Sequence, residues 1–421
     1  MEKRERVVTA SVYDESQSYY EESLKELNAL VEVAGGDVIA SIEQKVRAYN
    51  PATLMGKGKL DELKDFVLAE DIDLVIFDQA LSGIQMREIE KTLQVDVLDR
   101  TALILDIFAS RAKTDVGKLQ VYLAQLEYGK SHLIGKKNYS RLGGGIGTRG
   151  PGEQKLEIDR RRIAEDIQRV KKKLKQARKI RDTGRKNRVN SQVPAIALVG
   201  YTNAGKSSVM NRLLKESNAK GREVYVEDMP FASLDPDTRR IRLPDGLVVY
   251  VTDTVGFISN LPTTLVEAFH TTLEELKDSD LIIHVIDGSA EDGVLRYDTT
   301  RKLLNDLGAG HVPGLLFVNK KDRMEGKKLP FAPSEDTVIY GSCKYDEAFD
   351  YFYEAVQRKI EDLYVKVDLK FSFNDMDQVE AIKNHYPVES LNYEADGVTM
   401  TATLPKRSWH RLEPYVRRRY V

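Results

Sequence analysis

Lys206 and Ser207 close a run of mostly small residues, Gly200-Tyr201-Thr202-Asn203-Ala204-Gly205, in the spacing G-x-x-x-x-G-K-S. That order of residue types suits a polyphosphate. Small residues let successive backbone N–H groups turn toward phosphate oxygens, and a helix opening at the lysine adds the positive end of its dipole. The Lys206 amine would reach the β- and γ-phosphates, and the Ser207 hydroxyl would ligate a bridging Mg2+. The apolar run Ala195 to Val199 reads as a strand before the loop, and the residues to Leu214 read as a helix after it.

Two later stretches fall at the ends of apolar runs. Asp253-Thr254-Val255-Gly256 follows Leu247 to Val251, and Asn319-Lys320-Lys321-Asp322 follows Gly314 to Val318. A carboxylate at Asp322 can accept both the N1–H and the 2-amino group of guanine. Adenine offers neither donor and would leave that carboxylate unpaired, so the base read here is guanine.

In this order the three motifs resemble those of the GTPase superfamily of P-loop proteins. The spelling GYTNAGKSS, the segment Phe231-Ala232-Ser233-Leu234-Asp235-Pro236 and a glycine-rich tract upstream resemble the HflX family of ribosome-associated GTPases. The resemblance runs from Glu5 to Tyr364 and thins over the last sixty or so residues. It implies that Lys220 to Arg240 hold the first switch, with Phe231 to Asp235 near the nucleotide. Ser233 then stands where relatives place a threonine that completes the Mg2+ shell; serine keeps the hydroxyl and loses the methyl. Asp253 would hold a Mg2+-bound water, and the Gly256 N–H would sense the γ-phosphate, which makes Lys206, Ser233 and Gly256 the expected catalytic set. Ser342-Cys343-Lys344 resembles the last guanine-binding loop, with cysteine where alanine is commoner. Cys343 is read as packing.

The residue after Gly256 departs from relatives such as Ras. They carry a glutamine that orients the attacking water, and this chain has Phe257, which can neither donate nor accept. Slow intrinsic hydrolysis is expected. Two alternatives stay open: a partner that completes the site, or a K+ ion that Asn203 helps hold beside the phosphates, as similar N-x-G-K-[ST] loops do in some GTPases lacking the glutamine.

Four regions are expected to position these groups. The 421 residues hold 41% apolar and 31% charged side chains, one cysteine and six scattered histidines. Such a chain can bury several cores but cannot form an internal disulfide or a cysteine zinc cluster. It has no apolar h-region at its start and no apolar run long enough to span a bilayer, so a cytoplasmic protein without membrane insertion is expected. Residues 1–111 alternate β-branched runs with helical stretches and predict a small α/β domain with a mostly parallel sheet. Gly56-Lys57-Gly58-Lys59 marks a helix start there. Residues 112–192 predict an antiparallel helical hairpin: Val116, Leu119, Leu123 and Leu126 form one seam and Ile163, Ile167, Val170, Leu174 and Ala177 the other. Residues 193–364 predict a doubly wound sheet with the nucleotide at its carboxyl ends. Residues 365–421 predict a small α+β unit of order βαββα, with Trp409, Leu412 and Tyr415 on a closing helix.

The hairpin's joining tract, Ile134 to Gln154, has seven glycines, four basic residues and one acid. Lys136, Lys137, Arg141 and Arg149 could meet phosphates, and Tyr139 could stack on an unpaired base. Between Lys155 and Asn190, fifteen Lys/Arg face five Asp/Glu, in a chain whose net charge is −2. The excess favours RNA phosphates over a merely solvated face. With the resemblance, these features predict a monomeric GTPase that cycles between GTP and GDP on the large ribosomal subunit, with no role on DNA. They imply separation or rescue of stalled ribosomes under stress. A switch acting on a protein partner and an ATP-driven RNA-remodelling enzyme stay open as alternatives.

Overall fold

Residues 6–13, RVVTASVY, are β-branched or small at nearly every position and bury six consecutive side chains, as a central parallel strand requires. This strand, β1 (Arg6–Tyr13), lies between β2 (Asp37–Lys45) and β3 (Leu74–Phe77), and β4 (Asp96–Asp99) completes the parallel order β2-β1-β3-β4. The computed structural model describes residues 4–15, 19–133, 159–177, 193–216, 237–243, 248–254, 256–257, 274–335, 337–345, 347–386, 388–405 and 412–420. They fall into two units, residues 4–177 and 193–420.

In the first unit, α1 (Tyr20–Ala34) turns Leu24, Leu27, Leu30 and Val31 inward and stops at Gly35, whose φ of 93° is left-handed. Helix α2 (Lys57–Ala69) begins after Gly56, at the glycine-lysine run, and buries Leu60, Leu63 and Val67. Helix α3 (Gly83–Leu93) opens with a capping box between Ser82 and Gln85. Helix α4 (Arg100–Arg111) is capped by Asp99. Arg100 is buried and pairs with Asp78 and Glu26, each at 2.8 Å.

The hairpin helices are α5 (Asp115–Leu133) and α6 (159–177). Leu119, Leu123 and Leu126 pack against Ile163, Ile167, Val170 and Leu174, seven of the nine seam positions expected from the spacing; Val116 and Ala177 lie outside that cluster. The Tyr128 hydroxyl donates to Asp99 Oδ1 at 3.0 Å and fixes α5 to the sheet domain.

In the second unit, β5 (Ala195–Val199), α7 (Lys206–Glu216), β6 (Asp237–Arg242), β7 (Val248–Asp253), β8 (Leu281–Asp287), α8 (Gly293–Asp306), β9 (Gly314–Asn319), β10 (Val338–Tyr340) and α9 (Glu347–Glu361) build a six-stranded sheet. Its order is β10-β9-β8-β5-β7-β6, parallel except for β6 against β7. The order reverses beside β5, which puts a crevice at that strand's carboxyl end.

The core under this sheet runs without a break from Leu213, Phe317, Phe349 and Phe352 into Val367, Phe371, Met400 and Leu404 of the C-terminal sheet. That sheet consists of β11 (Tyr364–Phe371), β12 (Val388–Glu394), β13 (Gly397–Pro405) and β14 (Val416–Tyr420), antiparallel in the order β12-β13-β11-β14, with α10 (Met376–His385) following β11. The closing segment corrects the sequence expectation. It ends in a strand, so the order is βαβββ. Tyr415 stacks on Phe371 and Leu412 is buried, but Arg418 pairs with Asp368 and Tyr420 with Lys366 along β11. The Tyr420 hydroxyl donates to Asp368 Oδ2 at 2.8 Å. A ladder to a strand some fifty residues upstream outweighs the local three-residue spacing.

Trp409, Val255, the first-switch residues Phe231, Ala232, Ser233, Leu234 and Asp235, and the tract with Lys136, Lys137, Tyr139, Arg141 and Arg149 lie outside the described residues. Among the described residues no helix is long and apolar enough to cross a membrane.

Candidate nucleotide site

Two glycines set the shape of the loop after β5. Gly200 has φ 147°, and a Cβ there would stand 2.1 Å from the Val285 carbonyl oxygen; Gly205 has φ 98°, and its Cβ would stand 2.1 Å from Asn319 Nδ2. Neither position accepts an L side chain. Between them Asn203 is also left-handed, at φ 59°. Thr202 and Ala204 are buried, and Tyr201 is buried under the guanidinium of Arg296, 5.0 Å from its ring.

The Lys206 side chain folds back over this loop. Its Nζ donates to the carbonyls of Gly200 (3.1 Å) and Tyr201 (2.9 Å). Burial lowers its pKa to about 8, although the Asp253 charge pulls the other way. Helix α7 opens at this residue. Ser207 Oγ donates to Asp253 Oδ2 at 2.7 Å, and Asp253 Oδ1 is buried without a hydrogen-bond partner. Burial pushes the Asp253 carboxyl up from its ordinary value. A hydroxyl and an under-coordinated carboxylate oxygen make a donor set that fits a hard cation such as Mg2+, which takes the rest of its shell from phosphate and water. Among the described residues no cluster of three or more His, Cys, Asp or Glu could hold a metal.

Gly256 lies against Thr202 and Lys206; a Cβ there would meet Thr202 Cα at 2.9 Å and Lys206 Nζ at 3.0 Å. Its neighbour Phe257 is fixed to the same loop: the Thr202 N–H donates to the Phe257 carbonyl at 2.8 Å and the Phe257 N–H to the Gly200 carbonyl at 3.1 Å. The Phe257 ring is buried. Thr254 Oγ1 donates to the Leu198 carbonyl at 2.7 Å, which ties the start of this segment to β5.

Asn319, at the end of β9, connects the loops after β5 and β10. Its Nδ2 donates to the Ala204 carbonyl at 3.0 Å and its Oδ1 accepts the Cys343 N–H at 3.3 Å. Lys320 is left-handed at φ 58°, with Nζ 2.8 Å from Asp287 Oδ2, and Asp322 is exposed. Ser342 is buried, and its Oγ accepts the Lys344 N–H at 3.3 Å. Burial pushes the Cys343 thiol up to about 12, so it stays protonated and packs.

The phosphate loop, Asp253, Gly256 and the Asn319 loop thus converge on one end of the sheet. Sequence reasoning missed Asp287 and Arg296. Asp287 stands opposite Asn319 in the β8–β9 register, and its apolar strand followed by Asp-Gly-Ser was the available signal.

Family comparisons match this architecture segment by segment. Residues 21–109 match the model described as GTP-binding GTPase N-terminal, residues 111–188 the GTP-binding GTPase Middle Region, and residues 195–320 the 50S ribosome-binding GTPase. The GTPase HflX of Caldanaerobacter subterraneus is 41% identical over 98% of this chain and 94% of its own length. The GTPase HflX of Escherichia coli is 42% identical over 72% of this chain and 70% of its own. A solved GTP-binding protein of Sulfolobus solfataricus in complex with GDP is 23% identical over 84% of this chain and 98% of its own, with a TM-score of 0.43. At these identities and coverages, the chain belongs to the HflX family of GTPases, enzymes that hydrolyse GTP to GDP and phosphate.

Proposed function

We propose that this chain is a cytoplasmic GTP-driven switch that docks on the large ribosomal subunit and separates or rescues stalled ribosomes. The observation that carries the nucleotide half is the convergence of Lys206, the Ser207–Asp253 pair and Gly256 beneath one loop. In this reading the N–H groups of Asn203 to Ser207 cradle the phosphates, and Lys206 trades its two carbonyl bonds for phosphate oxygens. Ser207 and Ser233 would ligate Mg2+ and Asp253 would hold a water of its shell, while Asn203 would help hold K+ if that cation, rather than a partner, completes the site. Mg2+ held by these residues would supply neutralisation of the charge on the phosphates. Gly256 reports the γ-phosphate through its N–H, and hydrolysis releases both switches. Asp322 reads guanine, with Asn319, Lys320 and the backbone of Ser342 to Lys344 forming its seat.

Phe257 supplies no polar group for the attacking water, so the partner completes the site. Phe257→Gln therefore leaves single-turnover GTP hydrolysis within about twofold of the parent or slower. It also lowers stability by about 1–3 kcal/mol, because an amide replaces a buried ring. A tenfold faster rate in the variant would show that the missing glutamine alone limits turnover.

The ribosomal half rests on α6, whose Arg161, Arg162, Arg169, Lys171, Lys172, Lys173 and Lys175 are exposed while its apolar seam faces α5. In sequence, Lys136, Lys137, Arg141 and Arg149 add four further basic residues upstream of α6, and Tyr139 an aromatic one. Co-sedimentation with large ribosomal subunits tests it. The reading expects pelleting with a non-hydrolysable GTP analogue, little with GDP, and a loss of roughly 10³-fold or more in affinity between 50 and 200 mM salt. Equal pelleting with both nucleotides, or none, would favour the protein-directed switch.

A further inference from the structure

Asp287 is absent from every role above, yet it is bound at both carboxylate oxygens inside the base-binding end of the sheet. Oδ2 lies 2.8 Å from Lys320 Nζ, in a pair whose side chains are only 16% (Lys320) and 12% (Asp287) exposed. Oδ1 accepts the Ser289 N–H at 3.0 Å and the Ser289 hydroxyl at 2.6 Å. These partners hold the Asp287 carboxyl below its ordinary value against the opposing effect of burial, so it stays charged. The backbone beneath is fixed too: Asp287 pairs with Asn319, and the Gly288 N–H donates to the Asn319 carbonyl at 2.9 Å. A Cβ on Gly288 would stand 2.4 Å from Met324 Sδ, so the two loops interlock at this point.

Lys320 needs such an anchor. Its backbone is left-handed, a conformation costly for a side-chain-bearing residue, and a lysine chain with many rotamers surrenders entropy when a ligand orders it. We propose that Asp287 is a positioning residue for guanine recognition: it holds the Lys320 side chain in its bound pose before the base arrives. The inference rests on the reading of Asn319 to Asp322 as the guanine loop. Asp287 touches no reacting atom, so it sets nucleotide affinity and leaves the chemical step alone.

A double-mutant cycle read by equilibrium binding of GTP, GDP and ITP tests this. Asp287→Asn and Lys320→Met each weaken GTP and GDP by about tenfold, and the double variant is no weaker than about tenfold, because the two side chains act as one unit. KM rises in step while kcat changes by less than about twofold. ITP weakens by the same factor as GTP, since Asp322 alone reads the 2-amino group. Asp287→Glu, which keeps the charge, recovers binding to within about threefold, and covers the case in which Asp287→Asn folds poorly. Wild-type affinity in Asp287→Asn, or single losses that multiply to about a hundredfold in the double variant, would overturn the proposal. A parent protein that binds no guanine nucleotide would instead overturn the guanine-loop reading, and that result appears before any substitution is made.

Discussion

Lys206→Met lowers GTP turnover by about a thousandfold or more, because Lys206 is the one basic side chain of the loop. The Lys206 amine is buried on two carbonyls and held at a pKa of about 8, so the fold tolerates its charge at a cost. Met relieves that cost but leaves both carbonyls without their donor and buried Asp253 without its neighbouring charge, so the nucleotide-free variant melts a few degrees below the parent. The same shift sets a pH signature. Below pH 8 the amine is protonated folded or unfolded, and the burial cost is present in full. Between about 8 and the ordinary 10.5 the folded protein releases a proton that the unfolded chain keeps, so nucleotide-free stability rises with pH across that window. Phosphates favour the charged amine, so GTP binding takes up protons there and weakens as pH rises. Calorimetry at pH 9 in buffers of different ionisation heat should show uptake approaching about one proton in the parent and none in Lys206→Met. Absence of uptake in the parent would mean that Lys206 does not meet the phosphates.

The second large effect belongs to the base. Asp322→Ala removes an acceptor for two guanine donors, each a hydrogen bond to a charged group, and weakens GTP by roughly 10²–10⁴-fold. Asp322 is exposed, so folding is unaffected and the loss is one of recognition. Inosine lacks the 2-amino group and forms only one of the two bonds. The preference for GTP over ITP therefore collapses toward unity in the variant, while kcat at saturation moves little. If Asp322→Ala binds GTP like the parent, base reading lies elsewhere and the ATP-driven alternative returns.

These effects could be argued from sequence because the chemistry sits on short stretches with local rules. Gly200 and Gly205 take backbone angles that glycine adopts freely, and Lys206 opens the helix its spacing implied. The central parallel strands β1, β3, β5, β8 and β9 are mostly apolar runs, and the hairpin seams follow heptad spacing that packing alone satisfies. What stayed hidden depends on partners distant in the chain. Strand β14 was unreadable because three consecutive arginines mask any alternation, and only its ladder to β11 makes it a strand. Asp287 gained meaning from the β8–β9 register that sets it beside Asn319 and Lys320. Arg296 acts on Tyr201 across 95 residues of sequence, and no local pattern announces that contact.

The C-terminal sheet also narrows where RNA contact is sought. Its outward lysines are matched by acids: Lys366 pairs with Glu389, and Lys370 with Glu394 and Asp396. Arg418 lies 4.9 Å from the Tyr420 ring. Helix α6 carries a larger excess of exposed cations, and it leads from the glycine-rich tract.

The most direct test of the account is GTP turnover measured with and without purified large ribosomal subunits, alongside a variant lacking Ser140 to Pro151. The account predicts stimulation of at least about tenfold by the subunits, with most of it lost in the deletion, because the partner supplies what Phe257 cannot. Turnover that the subunits leave unchanged would contradict it and make a protein-directed switch the better description.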